Sequence, residues 1–168
     1  QEALNSGQIS EGHVVTKFEN SMSSFLNLFG GVATSSGTTA LVVALKALNV
    51  ENGDVLIPSY VCRNVYDAVR LAGGRPNLYD IDKDWCPTSE TIYPKLTSNT
   101  KAIVLVHTFG IACNTDFISS LPCPVIEDCC QSIGLMQNGR VVGSAGRYAV
   151  VSFHATKLMT TGEGGMAF

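Results

Sequence analysis

No apolar run in these 168 residues approaches the length needed to cross a bilayer; the longest, such as Ala102 to Val106, would make a buried strand and nothing more. The first residues, Gln1-Glu2-Ala3, lack the basic then apolar pattern of a secretory leader, so the chain reads as cytoplasmic, without a membrane partner. A basic stripe is also missing: 11 Lys and Arg lie scattered among 14 Asp and Glu, for a net charge of -3, and a nucleic-acid partner is not expected. The six cysteines (Cys62, Cys86, Cys113, Cys123, Cys129, Cys130) contain no C-x-x-C pair, and His13, His107 and His154 are too dispersed to form a metal centre. These thiols read as reduced core residues, and no metal is expected. There is no G-x-G-x-x-G or Walker sequence, which argues against a dinucleotide-binding or flavodoxin-like domain. No linker, charge run or repeat divides the chain, and 45% hydrophobic residues are enough for one sizeable core.

What is present alternates. Val14, Phe18, Met22, Phe25 and Phe29 recur at helical spacing, with Gly30-Gly31 as a C-cap. Then come a short strand at Val32-Ala33-Thr34, a small polar turn from Ser35 to Thr39, and a helix carrying Ala40, Leu41, Ala44, Leu45 and Leu48. The unit repeats with a strand at Val55 to Pro58 and a helical stripe of Val61, Val65, Ala68, Val69 and Ala72. Further strands are expected at Asn77 to Ile81, Lys101 to His107, Val125 to Glu127 and Tyr148 to Phe153. A short helix limited by Pro94 covers Ser89 to Leu96, and an Asn138-Gly139 hairpin lies between Met136 and Val141. Strands alternating with helices predict an α/β fold, three layers deep, around a mostly parallel sheet. At the end, Gly164-Gly165-Met166-Ala167-Phe168 resembles the start of a strand with nothing to cover it, as expected of a fragment or truncated product.

Three segments could carry chemistry. Ser35 to Thr39, ahead of a helix, could cradle a phosphate on free N–H groups or could be an ordinary Ser/Thr cap. Asp128 follows a buried strand, with Gln131 close behind; its carboxylate could hold a cationic ring nitrogen or simply start a helix. Ser152-Phe153-His154-Ala155-Thr156-Lys157 places a lysine just beyond another strand end, where open α/β sheets hold ligands. A buried amine there can attack a carbonyl, whereas a lone lysine is ordinarily a solvated one. His107 and His154 read as structural. Together the three segments match the phosphate, pyridine nitrogen and aldehyde of pyridoxal 5'-phosphate.

In order along the chain, Ser36-Gly37-Thr38-Thr39-Ala40-Leu41, Pro58-Ser59-Tyr60, Asp80-Ile81-Asp82, Val106-His107-Thr108-Phe109-Gly110, Glu127-Asp128-x-x-Gln131, Gly143-Ser144 and Ser152-Phe153-His154-x-Thr156-Lys157 followed by Gly162-Glu163-Gly164-Gly165 resemble the DegT/StrS family of sugar aminotransferases. The resemblance runs from about Ser6-Gly7 to Phe168. It implies the N-terminal portion of a fold type I large domain dependent on pyridoxal phosphate, with the C-terminal part of that domain and the small domain absent. By resemblance Lys157 is the Schiff-base lysine, Asp128 partners the pyridine nitrogen and Gln131 neighbours the ring's 3-oxygen. Thr38, Thr39 and Ser152 are phosphate ligands, and Gly37 gives backbone access. The implied reaction moves an amino group from glutamate or glutamine to a keto sugar, nucleotide-linked, in a homodimer.

The chain departs from the family twice. Many relatives place an aromatic ring over the cofactor where this sequence has Cys62, leaving Tyr60 as the nearest ring. Family members are also about twice as long. The other reading is therefore a non-catalytic remnant that folds and oligomerises without productive cofactor binding. Lys157 argues against the dehydratase branch, which carries histidine there.

Overall fold

The computed structural model describes residues 2–7 and 11–168; Gln1, where the leader reading begins, and residues 8–10, inside the span of the family resemblance, lie outside the described residues. Among the described residues nine strands alternate with five α-helices, and seven of the strands form one sheet in the order β1-β9-β8-β5-β4-β2-β3. The strands are β1 (Val32–Thr34), β2 (Asp54–Pro58), β3 (Arg75–Tyr79), β4 (Thr100–Val106), β5 (Val125–Asp128), β8 (Tyr148–Ser152) and β9 (Gly165–Ala167). The pairs β2 with β3, β2 with β4, β4 with β5 and β5 with β8 are parallel; β9 runs antiparallel to both its neighbours.

Period-two alternation assigns the faces. Val55 and Ile57 of β2 pack with Ala40, Leu41, Ala44 and Leu45 of α3 (Gly37–Ala47) and with Val65, Ala68 and Val69 of α4 (Arg63–Leu71). Leu56, between them in sequence, turns to the opposite face and meets Ile103, Leu105 and Ile92 of α5 (Ser89–Ile92). Farther along that face, Met22 and Leu26 of α2 (His13–Leu26) cover Ala149, Val151 and Met166. This is the expected three-layer α/β/α arrangement, and each fully buried Leu or Ile contributes about 1.5–3 kcal/mol. The short helix α1 (Glu2–Ser6) precedes it, and β6 (Met136–Gln137) and β7 (Arg140–Val141) make the small hairpin expected at Asn138-Gly139.

Three expectations are corrected. The first amphipathic helix ends at Leu26, not Phe29, because Asn27 takes a left-handed φ of 50° and donates its N–H back to Ser23 and Ser24 carbonyls. Phe25 and Phe29 are consequently exposed, and Leu26 takes the buried position the spacing gave to them. The strand placed at Asn77 to Ile81 sits two residues earlier, at Arg75–Tyr79; as an edge strand it accommodates Pro76. Finally, Gly165 to Ala167 is no uncovered edge. It is hydrogen-bonded on both sides, to β1 and β8, in the interior of the sheet.

That insertion brings the sheet against the start of α3. A Cβ on Gly165 would overlap the carbonyl of Ser36 and the nitrogen of Gly37, both backbone atoms that cannot rotate away. Gly165→Ala should therefore cost about 1–3 kcal/mol through overpacking, read as a fall in Tm of roughly 2–4 °C per kcal/mol in a thermal melt. An unchanged Tm would show that this contact does not set the position of α3.

Candidate functional site

The C-terminal ends of β2, β4, β5 and β8 open into one cavity of about 700 Å³, where parallel sheets place their ligands. Ser36, Gly37 and Thr38 line it from the start of α3; Asp128, Cys130 and Gln131 from the end of β5 and the residues just after it; Ser152 from the end of β8 and Lys157 from the loop beyond.

Helix α3 begins at a working cap. Ser36 Oγ accepts the Thr39 N–H at 3.1 Å, and the Ala40 N–H closes the first turn on the Ser36 carbonyl. The N–H groups of Gly37 and Thr38 have no such partner and face the cavity with the positive end of an 11-residue helix behind them. Gly37 is required by close approach. A Cβ there would lie 2.8 Å from Ser152 Cβ and 3.0 Å from Cys130 Sγ, so only glycine lets the helix start sit against the end of β8. Thr39 differs from its sequence-level role. Its Oγ1 is 3.0 Å from both Ser35 Oγ and Ser36 Oγ, and the residue is not among those lining the cavity.

Asp128 is buried, and its Oδ1 accepts the Cys130 N–H at 3.0 Å. The carboxylate also lines the cavity, where it can accept from a ligand. Gln131 Oε1 accepts the Phe109 N–H at 2.6 Å, which leaves the amide NH2 as a donor. Burial pushes the Cys130 thiol well above its ordinary value, and the Asp128 charge adds to that, so the thiol stays protonated beside the carboxylate.

The lysine sits on a loop closed at its base. Phe153 is buried against the ring of Phe18, with centroids 5.3 Å apart. Its N–H donates to the Gly164 carbonyl, and its own carbonyl accepts from Thr161 N–H and Thr160 Oγ1. Within the loop Lys157 N–H donates to the His154 carbonyl at 2.9 Å. The loop thus projects Lys157 from a fixed base, as the run of small residues and glycines from Thr160 to Gly165 requires. His154 Nδ1 is 3.0 Å from Thr156 Oγ1, and its Nε2 lies 3.4 Å from Glu163 Oε1. His154, expected beside the site as a structural residue, lines the cavity together with Thr156 and Glu163, which were not assigned to it.

Beneath the site, Glu127 is fully buried and accepts four hydrogen bonds: from His107 Nε2 at 3.0 Å and from the N–H groups of Gly143, Ala145 and Gly146 at 3.1, 2.7 and 2.6 Å. Cys113 N–H donates to His107 Nδ1, so the ring proton is on Nε2 and points at Glu127. His107 is structural, as expected. Glu127 was legible only as part of a motif, since nothing in a single sequence marks a carboxylate as the hub of a buried network.

The cysteines depart from expectation. Cys86 and Cys113, 27 residues apart, are joined in a disulfide with Cα atoms 5.3 Å apart; the other four are free thiols. Spacing could not reveal the pair, because the loops after β3 and β4 meet only once the sheet forms. Cys62 and Tyr60 both line the cavity, and the Tyr60 ring also packs edge-on against Trp85. Among the described residues no group of three or more His, Cys, Asp or Glu is arranged to hold a metal ion.

The model of the DegT/DnrJ/EryC1/StrS aminotransferase family matches residues 1–168. The chain belongs to this family. Among members of the DegT/DnrJ/EryC1/StrS family, the GDP-perosamine synthase of Escherichia coli is 36% identical over 172 residues, covering 98% of this chain and 47% of that protein. An aminotransferase from Psychrobacter cryohalolentis superposes with a TM-score of 0.91 at 36% identity, over 99% of this chain and 44% of that one. A Streptococcus pneumoniae protein put forward as a sugar aminotransferase, solved in its PLP form, gives 0.92 at 26% identity, over 99% and 48%. The chain spans about half the length of the family relatives it matches.

Proposed function

We propose that these residues are the cofactor-binding portion of a pyridoxal-phosphate-dependent aminotransferase that passes an amino group from glutamate or glutamine to a nucleotide-linked keto sugar, with Lys157 as its catalytic amine. The observation that carries this reading is the meeting of Gly37, Thr38, Asp128, Gln131, Ser152 and Lys157 on one cavity, from three separated segments. Support comes also from the family and from the names of its relatives, a GDP-perosamine synthase and a sugar aminotransferase in PLP form.

The donor set fits the cofactor. Gly37 and Thr38 N–H groups and the Ser152 hydroxyl suit a phosphate, and the cradle is one a Cβ on Gly37 would fill. Thr39 contributes through the cap that shapes this turn. The Asp128 carboxylate, which lines the cavity, suits a protonated ring nitrogen, and the Gln131 NH2 suits the ring's 3-oxygen. When bound, pyridoxal phosphate supplies an electron sink for the charge left when a substrate Cα–H bond breaks. The Asp128 carboxylate would partner a protonated ring nitrogen and so favour that sink. Gln131 would contact the ring's 3-oxygen through a side chain itself held by the Phe109 N–H. Lys157 would provide the amine that anchors the cofactor, and the same amine would take and return the proton at the substrate carbon.

The proposal includes a homodimer in the cytoplasm, with the C-terminal part of the large domain and a small domain completing the substrate site. No described helix is long and apolar enough to cross a membrane. The test is the donor half-reaction. Full-length protein loaded with pyridoxal phosphate should convert to the pyridoxamine form with glutamate or glutamine, followed by absorbance, and revert on adding a GDP-linked keto sugar. A protein that folds and oligomerises but neither retains the cofactor nor responds to an amino donor would instead be the non-catalytic remnant.

A further inference from the structure

Three aromatic side chains from three different loops meet, and two of them, Tyr60 and Phe109, line the cavity. Tyr60 follows β2, Trp85 follows β3 and Phe109 follows β4. Their centroids are 5.0 Å apart for Tyr60 and Trp85, 5.3 Å for Trp85 and Phe109 and 6.1 Å for Tyr60 and Phe109, at interplanar angles of 64°, 76° and 55°. Rings that pack this closely are ordinarily core. These remain 52%, 39% and 59% exposed.

The backbone beneath two of them is also unusual. Trp85 has φ 62° and Phe109 φ 56°, the left-handed region that bulky side chains rarely adopt. Such conformations persist only where surrounding structure imposes them. Here Trp85 N–H donates to the Asp82 carbonyl and Asp82 N–H to the Cys86 carbonyl, both at 2.9 Å. Phe109 N–H is held by Gln131 Oε1. The Cys86–Cys113 bridge then ties the Trp85 loop to the Phe109 loop. The rings are therefore fixed in an exposed position, and Tyr60 and Phe109 continue into the cavity that Lys157 lines.

Resting on the keto-sugar-nucleotide reading above, we propose that Tyr60, Trp85 and Phe109 form a stacking platform for the nucleobase of the acceptor. Every base presents a π-face that stacks on aromatic rings. With the sugar at Lys157, the base lies farther along a nucleotide-linked acceptor, and Tyr60 and Phe109 line the same cavity as Lys157, with Trp85 packed against both. Glutamate has no ring, so the platform distinguishes the acceptor from the amino donor in a cavity both must use.

Trp85 is the only tryptophan in these 168 residues, which gives a direct readout. Full-length protein loaded with pyridoxal phosphate is titrated with guanosine diphosphate, with inorganic pyrophosphate as the base-free control. Saturable quenching of tryptophan emission by the nucleotide is expected, and it should disappear in Trp85→Phe. Guanosine diphosphate affinity should fall about five- to a hundredfold in Phe109→Ala and in Tyr60→Ala, while pyrophosphate affinity stays unchanged in both. Absent quenching overturns the platform, as does equal quenching by pyrophosphate or an unchanged nucleotide affinity in both alanine variants. The two readings separate in the same samples. Conversion by glutamate without a nucleotide response overturns the platform alone; a nucleotide response without conversion supports the platform and overturns the aminotransferase.

Discussion

Replacing Lys157 with alanine should eliminate borohydride-fixed attachment of pyridoxal phosphate and lower amino transfer by on the order of 10⁴-fold, the upper range for a single proton-transferring group. The fold should survive. Lys157 is only partly buried, and its Nζ donates no hydrogen bond to the described residues, so its loop is held by the Phe153 and Gly164 backbone instead. Lys157→Arg sharpens the result. Arginine keeps a positive charge beside Asp128 and Cys130 but does not lose its proton, so it cannot attack an aldehyde. If the residue acted only by charge, the arginine variant would retain activity; as a nucleophile and proton carrier, it should be as inactive as alanine. Mass mapping of the reduced adduct settles the assignment. Attachment to Lys46 or Lys101, or persistence in Lys157→Ala, would place the amine elsewhere.

Much of this site was legible because its parts are local. The strand, Ser36 cap and helix around Gly37 follow one another within a dozen residues, and the same holds for β5 with Asp128 and for β8 with Lys157. Alternation of strands and helices then implied a parallel sheet, whose C-terminal edge collects those turns. What stayed hidden depends on distant segments. The antiparallel insertion of β9 between β1 and β8 cannot be read from Gly165-Met166-Ala167, because β1 lies more than a hundred residues earlier in the chain. The same reasoning covers Cys86 with Cys113, and the meeting of Tyr60, Trp85 and Phe109. Thr39 and Phe29 show the opposite limit: their spacing suited a ligand contact and a core stripe, but an Oγ bonded to Ser35 and Ser36 and a left-handed Asn27 redirected them.

Removal of the Glu127 side chain should be the most destabilising change in the site region. Glu127→Ala leaves the Gly143, Ala145 and Gly146 N–H groups and His107 Nε2 without their acceptor in a fully buried position. Breaking a buried pair in this way costs about 3–5 kcal/mol, a large part of the 5–15 kcal/mol that holds a typical domain together. The alanine variant should therefore be hard to obtain folded, and Glu127→Gln, which keeps one acceptor oxygen, is the practical probe. Burial alone would raise the carboxyl pKa, but the hydrogen bond from His107 and those from Gly146 and Gly143 outweigh it and hold the folded value below that of an ordinary glutamate. A depressed folded pKa contributes stability that is complete above the unfolded value and is lost as pH falls through the folded one. Melting curves between pH 7 and pH 3 should accordingly converge: the native protein loses Tm on acidification faster than Glu127→Gln, which has no proton to take up at that position. Parallel curves would mean that the Glu127 carboxyl titrates alike in the folded and unfolded chain and that its network does not favour the charged form. Since Glu127 directly precedes Asp128 in β5, loosening its network should also weaken pyridoxal phosphate binding in Glu127→Gln with Asp128 itself intact, a loss that Asp128 chemistry alone does not predict.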